Sequence, residues 1–246
     1  MQAETHTAAP IPRAGELDPA ARRLTTLDGA FLALLGLMIA GHVLAALLAR
    51  GWITAAAIDA FALVYLVALL ARPAWRSLVG RLMLLGLVAG IFELFTDAAG
   101  HQFARSLFYP QDQPMLWDSP FYMPLSWMIV LTQLSYLAWR LAGLLPDGRV
   151  PWRAILLTGL VGAVNVPFYE EAAYHAGWWR YAPTVLHLSH TPAYVLLFEG
   201  LVAAALPLLT LGLLKLRLPL VAARGAILGL WMPCAALLAW LLLGVW

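Results

Sequence analysis

Charge is what this chain has least of. Of its 246 residues only 11% are charged, against roughly one quarter in a soluble domain, and 63% are apolar. That balance excludes a disordered chain and gives no basic face for a nucleic acid. A single cysteine, Cys234, excludes a disulfide framework and reads as a small core residue. The only lysine, Lys215, falls between two apolar runs, so no lysine lies within a span to form a retinal-type Schiff base. Residues 1–27 lack the short apolar core and small-residue cleavage site of a secretory signal.

Long apolar runs are what the chain does have. Seven occur, at about 28–49, 52–71, 79–101, 122–143, 153–177, 191–213 and 220–244. Each is long enough to cross a bilayer as a helix, and runs this continuous are helices rather than barrel strands. The expected fold is therefore all-α, a polytopic seven-helix membrane protein. A polar, disordered tail (1–27, with a short helix through 18–23) precedes one membrane domain (28–246). Asp28 is expected to cap the first helix, Pro146-Asp147-Gly148 to turn the chain between the fourth and fifth, and Pro167, Pro207 and Pro233 to bend their helices. No internal repeat is expected.

The basic residues orient the chain. With the N-terminus in the cytoplasm, inner segments hold twelve of the 15 Lys and Arg, and outer ones hold Arg50, Arg105 and Arg180. The C-terminus is then outside, and a bacterial inner membrane is the expected location. Trp75, Trp139 and Trp152 fall at the inner interface, and Trp117, Trp178 and Trp179 at the outer one. The two longest connections, about 102–121 and 178–190, are both outside, and loops of that length tend to be functional.

Six of the thirteen acidic residues lie within the apolar runs: Asp59, Glu93, Asp97, Glu170, Glu171 and Glu199. Ionisable groups there are costly and mark function. Glu93, Asp97 and His101 are spaced by four, which places them on one helical face. Glu171 and His175 share a face in the same way, with Glu170 about 100° away. His187 and His190 follow in the next loop, and Glu199 lies about two turns into the sixth span. All fall in one outer-leaflet layer, with Trp127, Tyr169, Tyr174, Trp178 and Tyr194 as candidate substrate-binding residues. Asp59 and His42 read instead as locally satisfied groups.

Two chemistries fit that layer. In the first, Glu93, Asp97, Glu171 and Glu199 perform metal-free acid catalysis. A carboxylic acid kept from water holds its proton near neutrality and can give it to an alkene or epoxide, while a second carboxylate and aromatic faces stabilise the cation. In the second, Asp97, His101, Glu171, His175 and His187 or His190 hold zinc, iron or manganese. The Glu-x-x-His pairs of di-metal bundles are not present, because the spacing is x3 throughout.

Three stretches carry a resemblance: Phe92-Glu93 through Gly100, Pro120-Phe121-Tyr122-Met123-Pro124-Leu125-Ser126-Trp127, and Ala176-Gly177-Trp178-Trp179-Arg180-Tyr181. They resemble the integral-membrane carotenoid biosynthesis proteins, a family that includes carotenoid hydratases. In size and seven-span layout the chain is also similar to the small membrane terpene cyclases. The resemblance implies acid-initiated hydration or cyclisation of a polyprenoid, a lyase or isomerase type of activity without a required cofactor. Only Glu93 and the pair Glu170/Glu171 match the family's positions, whereas Asp97, His101, His175 and His187/His190 depart from its pattern. The expected partners are thus an isoprenoid-like lipid and the bilayer. A metal-dependent lipid hydroxylase or hydrolase is the alternative, and a transporter or ligand-binding receptor the third reading. Transport is opposed by the scarcity of polar groups in the inner half of the spans.

Overall fold

A computed structural model describes residues 25–110, 112–145 and 150–244. Most of the tail (1–24), where a short helix is expected, and residues 146–149, where a turn is expected, lie outside the described residues. The chain is mostly helical: α1 (Thr26–Leu48), α2 (Trp52–Leu70), α3 (Pro73–Ala98), α4 (Met123–Leu144), α5 (Trp152–Ala176), α6 (Ala193–Thr210) and α7 (Leu218–Leu243). These match the seven apolar runs to within a few residues, except that α3 begins earlier, with Pro73 in its first turn. Pro167, Pro207 and Pro233 stand inside α5, α6 and α7, which continue through them.

Two expectations are corrected locally. Asp28 is not the N-cap of α1: Thr25 is, and Asp28 closes a capping box from the third helical position. That position lets Asp28 also accept from Tyr136 (2.7 Å) and Arg140 (3.0 Å), tying the start of α1 to the end of α4. Nor is the chain purely α. It carries three two-stranded antiparallel ribbons, in which β1 (Leu107–Phe108) pairs with β4 (Arg180–Tyr181), β2 (Met115–Leu116) with β3 (Ser119–Pro120), and β5 (His187–Leu188) with β6 (Thr191–Pro192).

Six helices are long and apolar enough to cross a membrane: α1, α2, α3, α5, α6 and α7. Their outer surfaces are apolar too, with Leu47 78%, Leu156 70% and Val64 68% exposed. An aqueous surface would not carry such residues so densely, but lipid suits them. α4 differs, with Thr132, Gln133, Ser135 and Arg140 along it. None of residues 123–142 is exposed, because α4 packs against α2, α3, α5 and α6. A helix walled in by other helices does not need to be apolar all round.

The long connections reveal an order that the sequence reading misses. Leu116-x-x-Ser119-Pro120-x-Tyr122 returns 72 residues later as Leu188-x-x-Thr191-Pro192-x-Tyr194. Both stretches form two-residue hairpins, and both turns open on a residue with positive φ, Trp117 (59°) and Ser189 (53°). The same shift takes Phe108 to Arg180, which face each other across the β1–β4 ribbon, and Tyr109 to Tyr181. The ribbon therefore maps onto itself when the halves are exchanged, as a local two-fold axis requires. Deeper in the bundle, a Cβ on Gly86 would lie 2.8 Å from the Met128 carbonyl, and one on Gly159 would lie 3.1 Å from that of Gly200. α3–α4 and α5–α6 thus approach each other at matching points, with shifts of 73 on the first helix and 72 on the second. The one-residue difference falls where α3 continues as a π-helical turn, Ala99–Phe103, a wider turn that takes up an extra residue. The expectation of no internal repeat is accordingly corrected.

Candidate functional site

Between the two halves, toward the hairpin end, lies a cavity of about 600 Å³ to which all seven helices contribute. Its wall is mostly apolar and aromatic, and it holds the carboxyl groups of Asp59, Glu93, Asp97, Glu170 and Glu199. Neither lysine nor arginine is among the lining residues.

α3 supplies Glu93 and Asp97, one turn apart, buried and in direct interaction with each other. Asp97 is held from the following connection: Tyr109 and Ser119 each donate a hydroxyl to its Oδ2 at 2.6 Å. Burial, then the adjacent Asp97, pushes the Tyr109 phenol well above its ordinary range, so it remains a donor. Glu93 is different. It lies in range of Trp127 and Glu199, yet its Oε2 is buried without a hydrogen-bond partner. Two carboxyl groups in contact, with neither lysine nor arginine among the lining residues, repel if both are charged, and one proton held between them removes that cost.

Across the cavity α5 presents Glu170. It accepts from Trp179 Nε1 at 2.7 Å and from the Tyr181 hydroxyl at 3.2 Å. Tyr181 is the counterpart of Tyr109, and burial followed by the Glu170 carboxyl likewise raises its phenol. Glu199 of α6 is partly buried and lines the same space. Asp59, read from sequence as locally satisfied, accepts from Ser126 of α4 on the α2 side of the cavity. His42 packs edge-on against Tyr169 and Trp178 and pairs with its own Met38 carbonyl.

The expected site residues therefore divide. Glu93, Asp97 and Glu199 come together, as do Trp127, Tyr169, Trp178 and Tyr194 on the wall. Trp178 has a structural duty as well, its indole donating to Gly51 O (3.0 Å) and Thr54 Oγ1 (2.9 Å). Glu171 is corrected: it is not among the residues lining the cavity, and its neighbour Glu170 takes that place. Tyr174 is likewise outside, 45% exposed. The six-residue metal set is split as well. Asp97 is in the cavity, His101 pairs with the Leu107 carbonyl, and His187 with that of Thr184. Glu171, His175 and His190 gather on the exterior. Lys215 lies beyond the C-terminal end of α6, far from the cavity.

Sequence reasoning misses the donors Tyr109, Ser119 and Tyr181, and assigns Glu170 to the wrong face. The signal that would have found them is the 72-residue return of Tyr109, Ser119 and Tyr122 as Tyr181, Thr191 and Tyr194.

No curated protein and no solved structure matches this chain. The DUF6989 family, a domain of unknown function, matches residues 94–243. That stretch is more than half the chain and contains both hairpins, Asp97, Glu170 and Glu199. The chain belongs to the DUF6989 family.

Proposed function

We propose that the protein is a seven-span membrane enzyme that protonates an apolar, isoprenoid-like lipid in this cavity and directs the resulting carbocation to hydration or cyclisation. The observation that carries the reading is Glu93: a buried carboxyl with a free oxygen, in a largely apolar cavity, backed by a second carboxyl whose Oδ2 accepts two hydroxyls. The O–H bond of Glu93 breaks as a C–H bond forms from the alkene π pair, leaving a cation on the adjacent carbon. Trp127 and Phe198, which meet edge to face at 6.1 Å, supply aromatic faces for that cation, and Glu170 and Glu199 line the same space with carboxyl oxygens that can accept a returning proton. Water addition with loss of a proton completes hydration. Ring closure with return of a proton to a carboxylate completes cyclisation. The resemblance to carotenoid hydratases and membrane terpene cyclases points the same way.

In this reading α4 spans the membrane with the other six helices, the N-terminus is cytoplasmic, the C-terminus is outside and the membrane is the bacterial inner one. The hairpin end carries Arg50, Arg105 and Arg180, and the opposite end carries Arg72, Arg76, Arg81, Arg153, Lys215, Arg217 and Arg224. That asymmetry supports a cavity on the outer side.

The test uses purified protein in lipid vesicles in D₂O, supplied with linear polyprenoids and their terminal epoxides, with products read by mass spectrometry. A product carrying deuterium at the protonated carbon, lost in Glu93→Gln, is expected. Unaltered lipids throughout, with wild-type protein that is folded, would overturn the reading.

A further inference from the structure

Each half fastens its hairpin to the end of the preceding helix, and the two fastenings are chemically different. In the first half Gln102, in the π-helical turn after α3, donates its amide to Asp118 at the tip of the β2–β3 hairpin. The 72-residue shift takes Asp118 to His190, and takes Gln102 to the end of α5, where Tyr174 and His175 stand. Both touch His190. Tyr174 stacks on its ring at 3.5 Å between centroids, and the His175 ring lies 5.7 Å away. Between the imidazoles sits Glu171. Its Oε1 meets His175 Nε2 at 3.0 Å and its Oε2 meets His190 Nδ1 at 2.9 Å. An amide on a carboxylate offers a transition metal one anionic oxygen and no imidazole, a poor ligand set. Two imidazoles and a carboxylate are the ligand set that zinc prefers.

We propose that Glu171, His175 and His190 form an exterior site for a zinc-class divalent transition metal, a clasp that fastens the β5–β6 hairpin to the end of α5. The donor atoms of all three lie within 4.8 Å of one another. A tetrahedral zinc with bonds of about 2.0–2.1 Å needs its donors about 3.3 Å apart, so small side-chain movements suffice. The site is also prepared in advance. His175 and Glu171 are one turn apart on a helix, and His190 is held by a two-residue turn and by its stack on Tyr174. Three protein ligands leave a fourth position for water or an external ligand, and the partial exposure of all three side chains gives the ion a path. The clasp stands apart from the cavity acids and does not depend on the acid-catalysis reading. What it would govern is the hairpin that leads into Tyr194, a residue of the cavity wall.

The experiment takes the full chain in detergent, stripped by chelator and dialysed. Zn²⁺ is titrated by calorimetry, and Co²⁺ is followed by its visible absorption. One saturable site is expected. His175→Ala and His190→Ala should each weaken it on the order of tenfold or more, a floor set by what even indirect metal contacts contribute. His187→Ala, on the same hairpin but paired to Thr184, should leave it unchanged. Zn²⁺ should also slow amide exchange in residues 184–191 and not in 112–119. Absence of saturable uptake by the wild-type chain, or full affinity in the His175/His190 double variant, would overturn the proposal. So would an equal loss in His187→Ala. Glu93→Gln should bind zinc normally, which keeps this test separate from that of the acid.

Discussion

The two halves of the repeat treat their equivalent hairpin hydroxyls differently. In α3–α4 the hairpin hydroxyls have protein partners, Tyr109 and Ser119 on Asp97 and Tyr122 on Gln113 at 3.3 Å, and Gln102 donates to Asp118. In α5–α6 the counterparts of Ser119 and Tyr122, Thr191 and Tyr194, bury hydroxyls without a hydrogen-bond partner. Buried polar groups are normally satisfied, so a hydroxyl left free at Tyr194, on the cavity wall, marks a place where something other than protein can be accommodated. A duplicated scaffold thus divides its work: one half holds an acid pair rigid, and the other leaves room beside it.

The largest effect should come from the first half. Glu93→Gln keeps the shape of the side chain and removes its proton. Turnover in the deuterium assay should fall on the order of 10²–10⁴-fold, the usual contribution of general acid catalysis. Glu171→Gln, outside the cavity, should lower turnover far less, because it touches only the exterior clasp. If the two variants lose activity equally, the division between cavity and exterior is wrong.

Packing should separate the halves next. Gly86→Ala puts a methyl 2.8 Å from the Met128 carbonyl, a backbone atom with no rotamer to yield. It should cost about 1–3 kcal/mol, typical of overpacking, measured as a fall in the thermal midpoint in detergent. Gly159→Ala meets the Gly200 carbonyl at 3.1 Å and should cost less. The reverse order would mean that α5–α6 is the tighter helix pair.

The helices were legible because a membrane helix is long and uniformly apolar, and the runs near 28–49 and 220–244 leave no other choice. α4 was legible as a helix, although its polar residues place it below the other six in hydropathy. Its position at the centre follows only from what surrounds it. Site residues on α3 could be read because Glu93 and Asp97 lie on one face, so placing one places the other. α5 defeated the same logic. The four-residue step from Glu171 to His175 is real, but a helical wheel gives angles between residues and not which face turns inward. That choice is made by Trp179 and Tyr181, which reach Glu170 from the next strand. The repeat stayed hidden because its identities are few and the π-helical turn shifts the register by one between α3 and the hairpin.

The smallest effects test the contrast most finely. Ser119→Ala takes one of two hydroxyl donors from buried Asp97 and should destabilise by about 1–3 kcal/mol, the cost of leaving a buried acceptor short of a partner. At the equivalent position, Thr191→Val removes a hydroxyl that has no partner to lose and keeps the shape of the side chain. It should leave the thermal midpoint unchanged or raise it slightly, since an unsatisfied buried hydroxyl costs more than a methyl in the same space. Both substitutions delete one oxygen at matching points of a two-fold arrangement, so the difference between them isolates the partner and not the site. An equal loss in the two variants would mean that Thr191 is engaged after all, and the two halves would then treat these hydroxyls alike.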